Sequence, residues 1–134
     1  MGFGFRLLED KDYETLCIWW KWWRFQAPPK DYLPEDGCGG IMITKDGIDI
    51  CAGFLFLNNS KICWLEYIIS NPEYRENDRK EALGFLINNL CYIAKNRGYK
   101  AVFTSLKNEN LIKSYEEEGF SKGTSNTTEM TLLL

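Results

Sequence analysis

Few side chains in this sequence can do chemistry, and they are unevenly placed. The chain has no histidine, and its five cysteines, Cys17, Cys38, Cys51, Cys63 and Cys91, contain no Cys-x-x-Cys pair. The usual zinc ligand sets therefore have no support, and neither does a triad or dyad built on imidazole. Anion binding and carboxylate or phenol acid–base chemistry remain. Arg75, Arg79 and Lys80 put three cations close together, and charge-assisted contacts from such groups to phosphate are strong ones. Glu66 is the only carboxylate in the apolar run Ile62-Cys63-Trp64-Leu65-Glu66-Tyr67-Ile68-Ile69-Ser70. Burial there would raise its pKa towards the range useful for accepting an amine proton.

The elements around these residues follow from pattern. Pro72 cannot donate to a ladder and pushes Asn71 towards an extended conformation, so the strand stops at about Ser70. Asp78 with Glu81 three residues later is a capping-box pattern. Ala82, Leu83, Leu86, Ile87, Leu90 and Ile93 then recur at helical spacing, so a helix begins at Arg79. A strand that runs through a short loop into a helix start can hold an anion, because unpaired N–H groups and the positive end of the dipole point there. The same three cations also read as solvated charges at a helix end, with Asp78 a plain cap.

Phe3, Phe5 and Leu7 suit a first strand, and Asp10 or Asp12 can cap a helix from about Tyr13 to Phe25. That helix carries Trp19, Trp20, Trp22 and Trp23. Leu16, Trp19, Trp20 and Trp23 fit a core-facing stripe that leaves Trp22 nearer the edge. Packing accounts for at least two of the four, and a ring left exposed would suit a substrate wall or a partner surface. Gln26 to Gly40, rich in Pro and Gly, is an irregular connection in which Tyr32, Glu35 and Asp36 are acceptor-recognition candidates. Strands over Gly40 to Thr44 and Ile48 to Leu57, joined at Asp46-Gly47, lead into the strand at Ile62 as an antiparallel meander. Gly53 inside it signals a bulge or a close approach. A strand over Lys100 to Leu106, a helix starting at Asn108 or Asn110 and ending at Gly119, a polar hairpin and a last strand over Glu129 to Leu134 complete the chain.

At 134 residues with 45% hydrophobic and 15% aromatic content, the chain reads as one domain, 1–134, with a real core. A net charge of −3 argues against nucleic-acid binding through bulk charge. No stretch approaches the ~20 apolar residues of a membrane span, nor is there a signal peptide. A soluble, cytoplasmic protein whose cysteines are small core hydrophobes is the expectation.

Taken in order, a strand, then Pro72-Glu73-Tyr74-Arg75, a long helix, another strand, and Asn108 seven residues before Tyr115 with Gly119-Phe120 closing the next helix resemble a GNAT N-acetyltransferase. The resemblance spans the whole chain and is nearest to the small GNAT proteins of tailed bacteriophages. It implies an α/β (α+β mixed) fold, with a twisted mixed sheet of six to seven strands flanked by about four helices. It also implies acetyl-coenzyme A as co-substrate and an unidentified amine acceptor, small molecule or protein, with no metal. A homodimer is one assembly it allows, and the location would be a host cytoplasm if the source is viral.

On this resemblance Ile68, Ile69 and Ser70 would align the thioester and pantetheine through their backbone. Arg75, Asn77, Arg79 and Lys80 would hold the phosphates, and Asn108 would contact the pantetheine arm. Tyr115 would be the acid and Glu66 a base, with Trp22, Trp23 and Tyr32 lining the acceptor side. By their residues alone, Asn108 reads equally as a helix cap and Tyr115 as a core aromatic. The chain departs from the family where the loop usually has small residues, carrying Asp78 and Lys80 instead. That departure motivates a second expectation, a GNAT fold kept as a catalytically lapsed binding or structural module with the tryptophan helix as its contact surface.

Overall fold

Largely apolar runs build five strands, and the computed structural model, which describes residues 2–134, joins them in one mixed sheet ordered β1-β2-β3-β4-β5. β1 is Gly4–Leu7, β2 Gly40–Lys45, β3 Ile48–Phe56, β4 Ile62–Ser70 and β5 Ala101–Phe103. The first four pair antiparallel, and β4 and β5 pair parallel. The meander expected from Asp46-Gly47 is present, with both residues at positive φ as the tight turn requires.

Helix α1 (Asp12–Trp22) covers one face of the sheet, and α2 (Arg79–Asn96) with α3 (Glu109–Glu117) covers the other. The α2 face is the larger core. Leu86, Ile87 and Leu90 from α2 meet Ile41, Ile43, Cys51, Cys63 and Leu65 from the strands, all of them 2% exposed or less. On the α1 face Leu16, Trp19 and Trp20 pack on Met42, Ala52, Phe54 and Ile69. A polar anchor fixes the start of α1. The Arg6 guanidinium donates to both Asp12 carboxylate oxygens at 2.8 and 2.9 Å and to Asp49 at 3.1 Å, while Glu9 N–H donates to Asp12 at 2.7 Å.

Of the four tryptophans on the first helix, Trp19 and Trp20 are buried. Trp23, expected on the core stripe, lies just past the helix end and is 42% exposed, and Trp22 is 51% exposed. The helix stops three residues earlier than expected because Arg24 takes positive φ, which breaks the stripe before Trp23 can join it. The connection to β2 contains two 3₁₀ turns, Lys30–Tyr32 and Pro34–Gly37. All five cysteines are free, and Cys51 and Cys63 sit in the core as small apolar groups.

The C-terminal end differs from its expectation. β5 is three residues long rather than seven, and residues 120–134 form neither the hairpin nor the last strand. The polar run Ser121 to Thr128 has no apolar face to bury, and a three-residue strand offers a short template for further pairing. Among the described residues no helix is long and apolar enough to cross a membrane.

Candidate functional site

Two irregularities in β4 make the site. Glu66 pairs with Phe54 and Ile69 with Ala52, so Tyr67 and Ile68 together face the single residue Gly53. This is a β-bulge, and Tyr67 takes φ +57 within it, a conformation that strains a bulky side chain and tends to be kept where it serves function. Gly53 lets the two sides sit close, since a Cβ there would come within 3.1 Å of both Ile68 Cγ1 and Leu90 Cδ1 and those side chains would have to give by a few tenths of an ångström. The bulge expected from a glycine in a strand is thus present, and it withdraws the Tyr67–Ile68 backbone from the regular ladder.

The second irregularity is a parting of strands. β4 and β5 are in register only at Ile62–Ala101, Cys63–Val102 and Trp64–Phe103. β4 then runs on to Ser70 while the neighbouring chain leaves the sheet at Thr104. The resulting opening is bounded by Thr104 and Ser105 on one side and Glu66 to Ser70 on the other.

Glu66 and Tyr115 flank this opening. Glu66 shares a face with its partner Phe54, the α1 face, and accepts from Ser105 N–H at 3.2 Å across the gap. Burial pushes its carboxyl above the ordinary range, the Ser105 N–H partly offsets this, and the charge of Glu129 adds to it. Tyr115 comes from α3 on the opposite face and is 2% exposed. Burial raises its phenol well above the usual tyrosine value, Thr104 draws it down, and Glu66 pushes it up. A buried phenol and a partly buried carboxyl thus approach one gap from opposite sides. Asn108 caps α3, its Oδ1 accepting from Leu111 N–H at 3.0 Å, as its cap reading expected.

The start of α2 is arranged differently from the capping-box expectation. Asp78 is the residue before the helix but makes no side-chain cap. Its carboxylate instead accepts from Lys45 Nζ and from the Tyr74 hydroxyl, both at 2.6 Å, the partners that hold its pKa below the ordinary value. The ammonium of Lys45 and the phenol of Tyr74 out-compete exposed backbone N–H groups because one is charged and the other pre-positioned. Asp78 therefore turns towards the β2–β3 hairpin, into a cleft of about 470 Å³ shared with Lys45, Asn71 and Tyr74, and leaves the helix start free of a side-chain acceptor.

The cations fan out around that start. Lys80 reaches α3 and pairs with Glu117 at 2.9 Å in an exposed ion pair. The Arg75 guanidinium lies 5.3 Å from the Trp22 ring centroid. Arg79 makes no salt bridge among the described residues, and Asn77 is exposed in the loop before the helix. Trp22 stacks edge-on to Trp23 at 4.7 Å, and Trp23 Nε1–H donates to the Ser70 carbonyl at 2.9 Å. The tryptophan pair thus touches the end of β4 and the cationic loop together, while Tyr32, half exposed, lies near Tyr67.

Ser105, Thr104 and Lys45 carried no sequence signal, since a backbone donor, a hydroxyl and a hairpin lysine become informative only once the strands part. Among the described residues no cluster of metal-ligating side chains occurs.

No protein-family model matches the sequence, and no curated protein matches it. Solved structures do match in fold. The ribosomal-protein-S18-alanine N-acetyltransferase from Escherichia coli superposes with a TM-score of 0.72 at 19% identity, over 91% of this chain and 79% of that one. Aminoglycoside N-acetyltransferase AAC(6')-Iy, solved with a bisubstrate analogue of coenzyme A and acetylneamine, gives 0.69 at 16% identity over 99% and 100%. A GNAT family acetyltransferase from Staphylococcus aureus gives 0.62 at 16% identity over 98% and 100%. The mixed α/β sheet described above is the fold of these acetyltransferases.

Proposed function

We propose that this chain is an acetyl-coenzyme-A-dependent N-acetyltransferase that moves the acetyl group to a primary amine by direct attack. The observation that carries the reading is the parting of β4 from β5, with Glu66 and Tyr115 facing one gap from opposite sides and the uncapped start of α2 beyond it. The fold likeness to acetyltransferases solved with coenzyme A derivatives supports it.

In this reading the pantetheine arm enters the gap, with its thioester along the backbone of Ile68, Ile69 and Ser70 at and beyond the bulge and its amide near Asn108. The pyrophosphate lies at the start of α2, where free N–H groups and the helix dipole favour an anion. Arg75, Asn77, Arg79 and Lys80 supply the donors that glycine-borne N–H groups supply elsewhere in the fold. Trp22, Trp23 and Tyr32 border the acceptor side.

The chemistry balances without a covalent intermediate. Glu66 takes a proton from the acceptor amine as the C–N bond forms at the thioester carbonyl, the C–S bond breaks, and Tyr115 protonates the departing thiolate. Two features suit the roles. Burial raises the Glu66 carboxyl towards the pH at which an amine proton can be accepted. Burial also keeps Tyr115 protonated, so that it has a proton to give.

Calorimetric titration with acetyl-coenzyme A, run beside an Arg75→Ala, Arg79→Ala double variant, tests the reading. Micromolar binding, roughly −8 kcal/mol, that the variant loses is the expected result. Absence of heat at concentrations that would detect millimolar binding overturns it in favour of a GNAT-fold binding module. The half-exposed Trp22 and Trp23 are the feature that favours that second reading.

A further inference from the structure

The α1 face of the sheet is only partly covered. In register across three strands, Phe56 of β3, Trp64 of β4 and Phe103 of β5 lie side by side on that face. Phe56 is half-buried, Trp64 is 36% and Phe103 50% exposed, and the Trp64 and Phe103 rings lie 5.3 Å apart at 35°. Glu66 stands two residues beyond Trp64 on the same side, about 7 Å along the strand, with Tyr67 next to it and its ring 6.0 Å from Phe56. Three aromatic rings thus form a floor that leads to one carboxylate.

The charge on this floor has one sign. Among the described residues Glu66 has no cationic partner, its only hydrogen bond coming from the Ser105 backbone. Glu129 in the C-terminal segment is close enough to act on both Glu66 and Tyr67. A carboxylate without a cation, beside rings whose faces carry negative charge density, complements an ammonium. The floor has little to offer a polyhydroxylated body: its three rings carry one polar hydrogen between them, the Trp64 indole N–H.

We infer that Phe56, Trp64 and Phe103 form the acceptor floor of the proposed acetyltransferase, and that its acceptor is a primary ammonium on an apolar stem, an arylalkylamine or alkylamine, rather than an amino sugar. The inference rests on the N-acetyltransferase reading for its turnover, but the binding it describes needs no cofactor. The stem lies across Trp64 and Phe103, and the ammonium reaches Glu66 at the mouth of the strand opening; it gives one proton to solvent there, and the neutral amine that remains gives its second to Glu66 as it attacks. This departs from the aminoglycoside chemistry named for one of the structural neighbours.

Saturation-transfer NMR with phenethylamine tests it on the protein without acetyl-coenzyme A, with kanamycin and the neutral 2-phenylethanol as controls. Phenethylamine is expected to bind more tightly than either, at least tenfold more weakly to Trp64→Ala and Phe103→Ala, and near normally to Trp64→Phe, with cooperative thermal unfolding above the measuring temperature showing that the fold persists. Where acetyl-coenzyme A binds, kcat/KM for phenethylamine should exceed that for kanamycin at least tenfold, the floor variants raising KM for the amine and leaving KM for acetyl-coenzyme A unchanged. Equal binding by wild type and both alanine variants, or a preference for kanamycin, overturns the inference. Loss of cofactor binding alone overturns the acetyltransferase reading and leaves the amine measurement to decide the floor.

Discussion

The two faces of the sheet are finished in different ways. On the α2 face, helix and strand side chains interlock at 2% exposure or less, and even the polar Tyr115 is buried. On the α1 face, a shorter helix covers β2, β3 and the end of β4, is fastened at its start by the Arg6–Asp12–Asp49 ion cluster, and leaves Trp64 and Phe103 in the open. One face stores stability and the other presents surface. The strand opening lies where they meet, so a reacting group can be held rigidly from one side and approached from the other.

Truncation separates the faces most strongly. Leu86→Ala, on the closed face, should cost about 2–5 kcal/mol of unfolding free energy, since a fully buried leucine leaves a cavity. Trp64→Ala on the open face should cost less than that although it removes a larger side chain, because the ring is over a third exposed and its loss leaves no sealed cavity. Urea unfolding of the two variants makes the comparison, and equal losses would break it.

Glu66→Gln should lower turnover about a hundredfold, the lower end of what a positioned base contributes, with stability moving the other way. Because burial raises the folded-state carboxyl above its unfolded value, the ionised form opposes folding at neutral pH. That penalty fades as pH falls through the raised folded value and is gone below the unfolded one. The glutamine variant should therefore unfold at higher denaturant than wild type at pH 7 and at the same denaturant near pH 3. A variant less stable at pH 7 would mean that the Ser105 bond outweighs desolvation.

The polar anchor gives a modest effect. Asp12→Asn should cost about 1.5 kcal/mol at neutral pH, the scale of a charge-assisted hydrogen bond lost to a neutral one. Asp12 is held below its ordinary pKa chiefly by Arg6, so its contribution is complete above the unfolded value and is lost as pH falls through the folded one. Wild type and variant should converge as pH falls through that depressed folded value, and a gap that persists at the acid end would assign the loss to packing.

Much of the fold was legible because its signals are local. Pro72 ended β4 at Ser70, Asp46-Gly47 turned the hairpin, Gly53 marked the bulge, and the spacing of Ala82 to Ile93 gave α2. What was missed depended on partners distant in sequence. The pattern of Asp78 and Glu81 promised a cap, but Lys45, thirty-three residues earlier, claims the carboxylate. Trp23 fitted the helical stripe, yet Ser70, forty-seven residues away, holds its indole nitrogen. The final strand had the right residue types but no neighbour long enough to pair with. Of the site, Glu66 and Tyr115 were legible as candidates one by one; their approach from opposite faces depends on α3 packing beside α2, and the gap between them appears only when β5 stops short.

The hydrogen bond from Trp23 to Ser70 gives the molecule an optical property. Indole emission responds to the polarity and charge around the ring, and here one indole donates to the strand end while its stacked neighbour, Trp22, carries a guanidinium over its face. Trp19 and Trp20, sealed in the core, and Trp64, at the far end of β4, supply a constant background. Any anion that draws Arg75 away from Trp22 should shift the red part of the spectrum alone, so the chain needs no added dye to show when the start of α2 is occupied.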